Sequence, residues 1–161
     1  MNNVRIGQGY DLHRLAEGIS LKLGGLTIDF DKGSLGHSDG DVVLHALIDA
    51  LLGASGLGDI GELFPDDDPS YRGMDSTWAL SKTLARIQEN YPDFQILNID
   101  ATIFLERPKL RPLKEAMRNT LAKHLGVAPS AVSIKAKTAE GFFPVGTSDA
   151  VAASVVCLVK L

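Results

Sequence analysis

Hydrophobic and polar positions change period several times along this chain, and each change marks an element. Val4 to Leu12 reads as a strand, thinned on one face by Gly7 and Gly9, a pattern that suits close backbone approach. Leu21-Lys22-Leu23 and Leu26-Thr27-Ile28 form a hairpin pattern within Leu21 to Phe30, with Gly24-Gly25 as the turn. Asp41 to Leu52 is the clearest helix. Leu44, Leu47, Ile48, Leu51 and Leu52 form its apolar stripe, Asp39 or Asp41 caps its start, and Gly53, Gly56 and Gly58 end it. An acidic loop from Gly58 to Pro69 follows, long enough to suggest a functional role.

A second helix spans Ser76 to Glu89, with Leu80, Leu84 and Ile87 inward. From Gln95 to Glu106 the period falls to two: Leu97, Ile99, Ala101, Ile103 and Leu105 share one face, and Asn98, Asp100, Thr102 and Phe104 the other. Pro112 opens a third helix that runs to Leu125 and stops at Gly126. Val132 to Thr138 alternates again. Ala150 to Val159 is almost wholly apolar and valine-rich, the pattern of a central buried strand. The order predicts an α+β (α/β) sandwich, a mixed β-sheet with helices packed on one face. The uncovered sheet face calls for a partner subunit.

Length and composition narrow the class. At 161 residues the chain suits one domain, residues 1–161, with an unstapled core. Its 45% hydrophobic and 22% charged content is that of an ordinary soluble protein. Sixteen basic against 20 acidic side chains give a net charge of −4, which argues against a nucleic-acid or membrane footprint. No apolar run reaches the roughly 18 residues of a membrane span. The single cysteine, Cys157, sits in an apolar run and reads as a small buried hydrophobe. With no leader pattern at the start of the sequence, a cytoplasmic location is expected.

Three of the four histidines fall in the first 45 residues, beside aspartates. Asp11 and His13 are two apart and share a strand face, while Asp41, His45 and Asp49 are four apart and share a helix stripe. A strand end meeting a helix start brings Asp11, His13 and His45 together. Three ligands without a thiolate is the pattern of a catalytic metal with an open position, and the alternative is a pair of hydrogen-bonded histidines. His37 and Ser38 precede a helix N-terminus, which favours a phosphate oxygen or serves as plain capping. Asp66-Asp67-Asp68 lacks the glycine and distal glutamate of a calcium loop. Lys109, Lys135 and Lys137 supply scarce positive charge, or a solvated edge. Glu140 is a candidate for a hard cation across phosphates, or a surface acid.

Several blocks together carry a resemblance: Gly9-Tyr10-Asp11-Leu12-His13, Gly36 to Leu47 with its H-S-D-G-D-x-x-x-H pattern, Gly58 to Asp66, Pro108-Lys109-Leu110 and Lys135-Ala136-Lys137-Thr138. The chain resembles the 2-C-methyl-D-erythritol 2,4-cyclodiphosphate synthases of the non-mevalonate isoprenoid pathway, nearly end to end. The resemblance implies a phosphorus–oxygen lyase, a homotrimer with active sites between subunits, and release of CMP from a cytidine-diphosphate-linked substrate. It implies zinc on Asp11, His13 and His45, and magnesium or manganese on Glu140. It implies catalytic roles for His37 and Thr138, with His37 and Ser38 at the erythritol phosphate end and Asp49 at the erythritol hydroxyls. Asp59, Ile60 and Gly61, then Phe64, Pro65, Asp66, Asp67 and Asp68, would line the erythritol pocket. Leu105, Pro108, Lys109, Leu110 and Arg111, with Ala136, Lys137, Thr138 and Ala139, would form the cytidine and diphosphate pocket of the adjacent subunit. The chain departs from the common family pattern at Lys137, where many members have threonine. It departs again at Thr147, where many carry an arginine linked with isoprenoid-diphosphate binding on the trimer axis.

Overall fold

The computed structural model describes residues 3–161. Strand β1 covers Val4–Glu17, five residues beyond the predicted Leu12, because β7 (Ala150–Lys160) pairs with it antiparallel from Val4 to Arg14 and β4 (Lys32–Leu35) continues from Arg14 to Glu17. The short strand β4 is not evident from the sequence pattern. Strands β5 (Gln95–Phe104) and β6 (Val132–Lys137) complete a five-stranded sheet in the order β4-β1-β7-β5-β6. Only the β5–β6 pair is parallel, so the sheet is mixed as expected. The hairpin forms as read. Strands β2 (Leu21–Leu23) and β3 (Leu26–Ile28) pair across a two-residue turn in which Gly24 and Gly25 both hold positive φ.

Helix α1 (Val42–Ser55) is capped by Asp41, not Asp39, and closes on Gly56 in the left-handed conformation. Burial extends well beyond the predicted stripe, to Val42, Val43, Ala46, Ala50 and Ala54 as well. The reason lies on β1. A Cβ on Gly7 would sit 1.8 Å from the Ala50 carbonyl oxygen, and one on Gly9 would sit 1.9 Å from that of Ala46. Two missing side chains let the helix backbone rest directly on the strand, so α1 is enclosed on almost every side. Cys157, opposite Gly7 in the register, donates its thiol to the Ala50 carbonyl at 3.3 Å, and burial pushes its pKa up to about 11.

Helix α2 (Ile60–Leu63) is a single turn inside the acidic loop. Helix α3 (Ser76–Asn90) starts on an Asp75 cap and α4 (Lys114–Leu125) ends at Gly126; Pro112 lies in a 3-10 turn before α4 instead of opening it. A last turn, α5 (Phe143–Gly146), leads into β7. The core lies between the helices and one sheet face.

Two strand readings change. A register shift between Ile96 and Asn98 opposite β7 makes Leu97 the extra residue of a bulge. Leu97 is therefore 41% exposed, and Ile96 takes its place against the core. Strand β7 is central in the sheet, yet Val156 and Leu158 on its outer face stay exposed, in line with Ile6, Tyr10 and Leu12 on β1. One sheet face is indeed uncovered.

Candidate active site

Odd-numbered residues of β1 face α1: Gly7 and Gly9 at the contact, then Asp11 and His13 just beyond it. Seating Ala46 on Gly9 places the neighbouring His45 beside Asp11. Asp11 Oδ2 lies 2.9 Å from His45 Nδ1 and 3.1 Å from His13 Nδ1. The two imidazole rings are tilted against each other with centroids 5.3 Å apart. His13 Nδ1 is buried and, although close to Asp11 Oδ2, is not in hydrogen-bonding geometry with it or with any other group. Burial acts to raise the Asp11 pKa, but the two imidazoles outweigh it and hold the carboxyl well below the usual carboxylate range. Burial acts to lower the His45 pKa, but the Asp11 carboxylate wins and raises it.

Ligand atoms of Asp11, His13 and His45 all lie within 4.8 Å of one another. The two Asp11–imidazole separations are close to the roughly 3.3 Å edge of a tetrahedron with corners about 2 Å from a central ion. A buried nitrogen with no well-formed hydrogen bond, a second nitrogen beside the same carboxylate oxygen, and no thiolate fit a divalent cation.

A cleft of about 230 Å³ opens beside these three residues and is lined by His37, Ser38, Ile60, Gly61, Phe64 and Asp66 among others. A second cleft of about 230 Å³ shares His37, Ser38, Phe64 and Asp66 with it and extends past Asp67, Asp68 and Pro69. Three acids around the clefts hold this stretch of chain in place. Asp59 accepts from the Glu62 N–H at 2.9 Å and caps α2. Asp49 accepts from the Ile60 N–H at 2.9 Å, tying the loop to α1. Its pKa is raised by burial, against the Ile60 hydrogen bond. Asp68 accepts from Ser70 at its own short helix start. Phe64 anchors the loop in an aromatic cluster with Tyr71 and Trp78.

Neither cleft includes Asp49, Asp59 or Pro65 among its lining residues. Ser38, read as a phosphate donor, has its hydroxyl 3.2 Å from His45 Nε2 and accepts from the Gly40 N–H. The sequence reading also missed Ser76 and Lys22, and read Asp39 only as a helix cap. Ser76 Oγ lies 2.9 Å from His45 Nε2 and donates a short hydrogen bond to Asp39, whose other oxygen meets Lys22 Nζ at 3.1 Å. Nothing in Asp75-Ser76 distinguishes it in sequence from an ordinary helix start, and Lys22 reads only as the outer residue of a hairpin.

The residues expected on the cytidine side gather separately. Leu105, Lys109, Leu110, Arg111, Ala136, Lys137 and Thr138 line a pocket of about 310 Å³ that shares no residue with the metal-side clefts. Thr138 donates to Glu140 at 2.9 Å, Glu140 holds a positive φ of 53°, and the Ala139 N–H donates to Glu106. Pro108 follows a cis peptide bond. Lys135 pairs with Asp100 at 2.7 Å, so its charge is taken up across the strands. Glu140 is absent from the group that gathers around Asp11. Thr147 donates to Asp149 at 2.6 Å.

Fold and site define the class: an α+β protein with an Asp-His-His metal-ligand set where a strand and a buried helix meet at a cleft. Residues 4–160 match the model of the YgbB family. The chain is 49% identical over 158 residues to the 2-C-methyl-D-erythritol 2,4-cyclodiphosphate synthase of Laribacter hongkongensis, covering 98% of this chain and 96% of that protein. It is 51% identical over 157 residues to the protein of that name from Desulfatibacillum aliphaticivorans, covering 96% and 99%. A solved structure of a 2-C-methyl-D-erythritol 2,4-cyclodiphosphate synthase in a CDP-bound form superimposes with a TM-score of 0.87 at 41% identity, over 96% of this chain and 99% of that one. This chain belongs to the YgbB family, among the 2-C-methyl-D-erythritol 2,4-cyclodiphosphate synthases.

Proposed function

We propose that the protein converts 4-diphosphocytidyl-2-C-methyl-D-erythritol 2-phosphate into 2-C-methyl-D-erythritol 2,4-cyclodiphosphate and CMP. The observation that carries the reading is the meeting of Asp11, His13 and His45 at a cleft of about 230 Å³ in a chain of this family. An oxygen of the 2-phosphate attacks the β-phosphorus, the bond from that phosphorus to the bridging oxygen breaks, and CMP leaves with that oxygen. The reaction is thus an intramolecular displacement that expels CMP with no water consumed, formally a phosphorus–oxygen lyase reaction.

Intramolecular phosphoryl transfer needs the nucleophile in line and the oxygens neutralised, and little covalent help. Asp11, His13 and His45 would hold zinc, and Glu140 a magnesium or manganese ion; such ions supply charge neutralisation on phosphate oxygens. His37 and Ser38, ahead of the α1 N-terminus, would orient the 2-phosphate. Asp49, Asp59 to Gly61 and Phe64 to Asp68 would hold the erythritol, and the aromatic anchor at Phe64 would keep water out. Thr138 and Lys137 would bind the diphosphate, with cytidine in the pocket of Leu105 to Arg111 and Ala136.

Because the two halves share no cleft within one chain, the reading has them meet across a subunit boundary in a homotrimer. The uncovered sheet face supports association: Ile6 is 72% exposed, with Tyr10, Leu12 and Leu158 beside it. Among the described residues no helix is long and apolar enough to cross a membrane. A cytoplasmic setting is part of the proposal.

Phosphorus NMR of the product, with CMP quantified in parallel, tests the reading. A cyclic diphosphate with one CMP per turnover, abolished in a folded His45→Ala variant, is the expected result. A linear phosphate product would instead indicate a metal phosphohydrolase, and binding without CMP release would indicate a nucleotide-binding protein.

A further inference from the structure

The metal-side cluster has a polar chain behind it that the proposed reaction does not use. His45 Nε2 faces away from Asp11 and meets Ser76 Oγ at 2.9 Å in a buried position. Ser76 is fully buried and donates its hydroxyl to Asp39 Oδ1. Asp39 Oδ2 accepts from the Ser76 backbone N–H at 3.2 Å and from Lys22 Nζ at 3.1 Å. Lys22 also reaches Asp75, the cap of α3, at 3.3 Å. Three separate elements therefore converge behind one imidazole: the β2–β3 hairpin, the turn before α1, and the first residue of α3. Backbone bonds hold them in place, from the Gly73 N–H to the His37 carbonyl at 2.7 Å and from the Asp39 N–H to the Met74 carbonyl at 3.1 Å.

Proton counting fixes the direction of this chain. A serine hydroxyl has one hydrogen, and Asp39, held between Lys22 and two donors from Ser76, is an acceptor. The Ser76 hydrogen goes to Asp39, which leaves a lone pair facing His45. His45 must then carry a proton on Nε2, so Nδ1, 2.9 Å from Asp11 Oδ2, is the nitrogen left to give its lone pair to a cation, any proton it shares with Asp11 being displaced on binding. A ring held by its Nε2–H presents Nδ1 to the ion without turning over.

We infer that Ser76, Asp39 and Lys22 are positioning residues that lock His45 in the Nε2–H tautomer for metal binding. The inference rests on the metal reading of Asp11, His13 and His45. It extends the site to α3 and to the hairpin, neither of which contributes a ligand. Ser38 Oγ, at 3.2 Å from the same nitrogen, is the more distant partner, and it also accepts from the Gly40 N–H.

The test is metal affinity, measured with the purified full chain by chelator competition with Zn²⁺, and ring tautomer, read by ¹⁵N NMR of the histidines. Ser76→Ala should weaken zinc binding roughly 10–100-fold, the usual size of such outer contacts. It should also remove the Nε2–H signature of His45 and leave the far-ultraviolet circular dichroism unchanged. Asp39→Asn, which keeps the shape but not the charge, should weaken binding by a smaller factor. Ser76→Thr should recover most of the affinity. Should Ser76→Ala fail to fold, Asp39→Asn decides. Folded Ser76→Ala or Asp39→Asn protein with parental zinc affinity and the parental His45 tautomer would overturn the inference. Failure of the parental protein to bind zinc at all would instead overturn the metal reading beneath it.

Discussion

At the scale of single residues, a few positions carry several demands at once. Asp41 is fully buried and accepts from four backbone N–H groups, those of Gly24, Gly25, Val43 and Leu44, so it caps α1 and pins the hairpin turn to it. Its pKa is raised by burial, opposed by those hydrogen bonds. Asp41→Ala leaves those donors without an acceptor and should cost more than a surface cap does, at least about 2 kcal/mol by urea denaturation. Gly9→Ala should be worse tolerated than most core substitutions, because its Cβ would overlap backbone, not a movable side chain. A loss of about 3 kcal/mol or more, with weaker zinc binding as α1 is pushed away from Asp11, is the expected result in paired melting and metal titrations.

At the scale of elements, starts and bulges decide more than stripes do. Asp75 caps α3 and its pKa is lowered to about 2, first by the Thr77 hydroxyl and further by the Trp78 and Thr77 N–H groups and Lys22, against a burial effect of opposite sign. A depressed carboxylate contributes stability that is present above the unfolded value near about 3.9 and is lost as pH falls through about 2. Acid denaturation of Asp75→Asn should therefore show a shallower fall over that window than the parental chain. The side chain is 49% exposed, so solvent screening keeps the difference small. The bulge in β5 makes a sharper forecast. Leu97→Ser should change stability by less than about 0.5 kcal/mol, while Ile99→Ala two positions on should cost about 2–4 kcal/mol. Strict alternation would have made both losses large.

At the scale of the whole molecule, the uncovered sheet face and the proposed division of the site make the same demand. Ile6, Tyr10, Leu12, Val156 and Leu158 form an apolar surface on adjacent strands, and the pocket beside Asp11, His13 and His45 is separate within one chain from the one lined by Lys109 and Lys137. Ile6→Glu with Leu158→Lys should shift the sedimentation coefficient to that of a monomer. Cyclodiphosphate formation should fall with it, since each monomer would keep both half-sites but join neither. Zinc affinity should fall far less, because all three ligands come from one chain.

Patterning alone set most of the elements of this protein and its mixed sheet, and picked out Asp11, His13 and His45 as candidate ligands, because periods of two and 3.6 and paired residue types are written locally in the chain. Gly7 and Gly9 even announced a close approach, though not what would approach. Tertiary structure decided that α1 was the partner, that Asp41 and not Asp39 was its cap, and that Leu97 fell on a bulge. It also brought Ser76 and Lys22 behind His45 from 31 residues further on and 23 residues before. Those contacts join segments distant in sequence. A serine at a helix start or a lysine in a hairpin has no local period or motif to record them, and only packing brings the side chains within hydrogen-bonding reach.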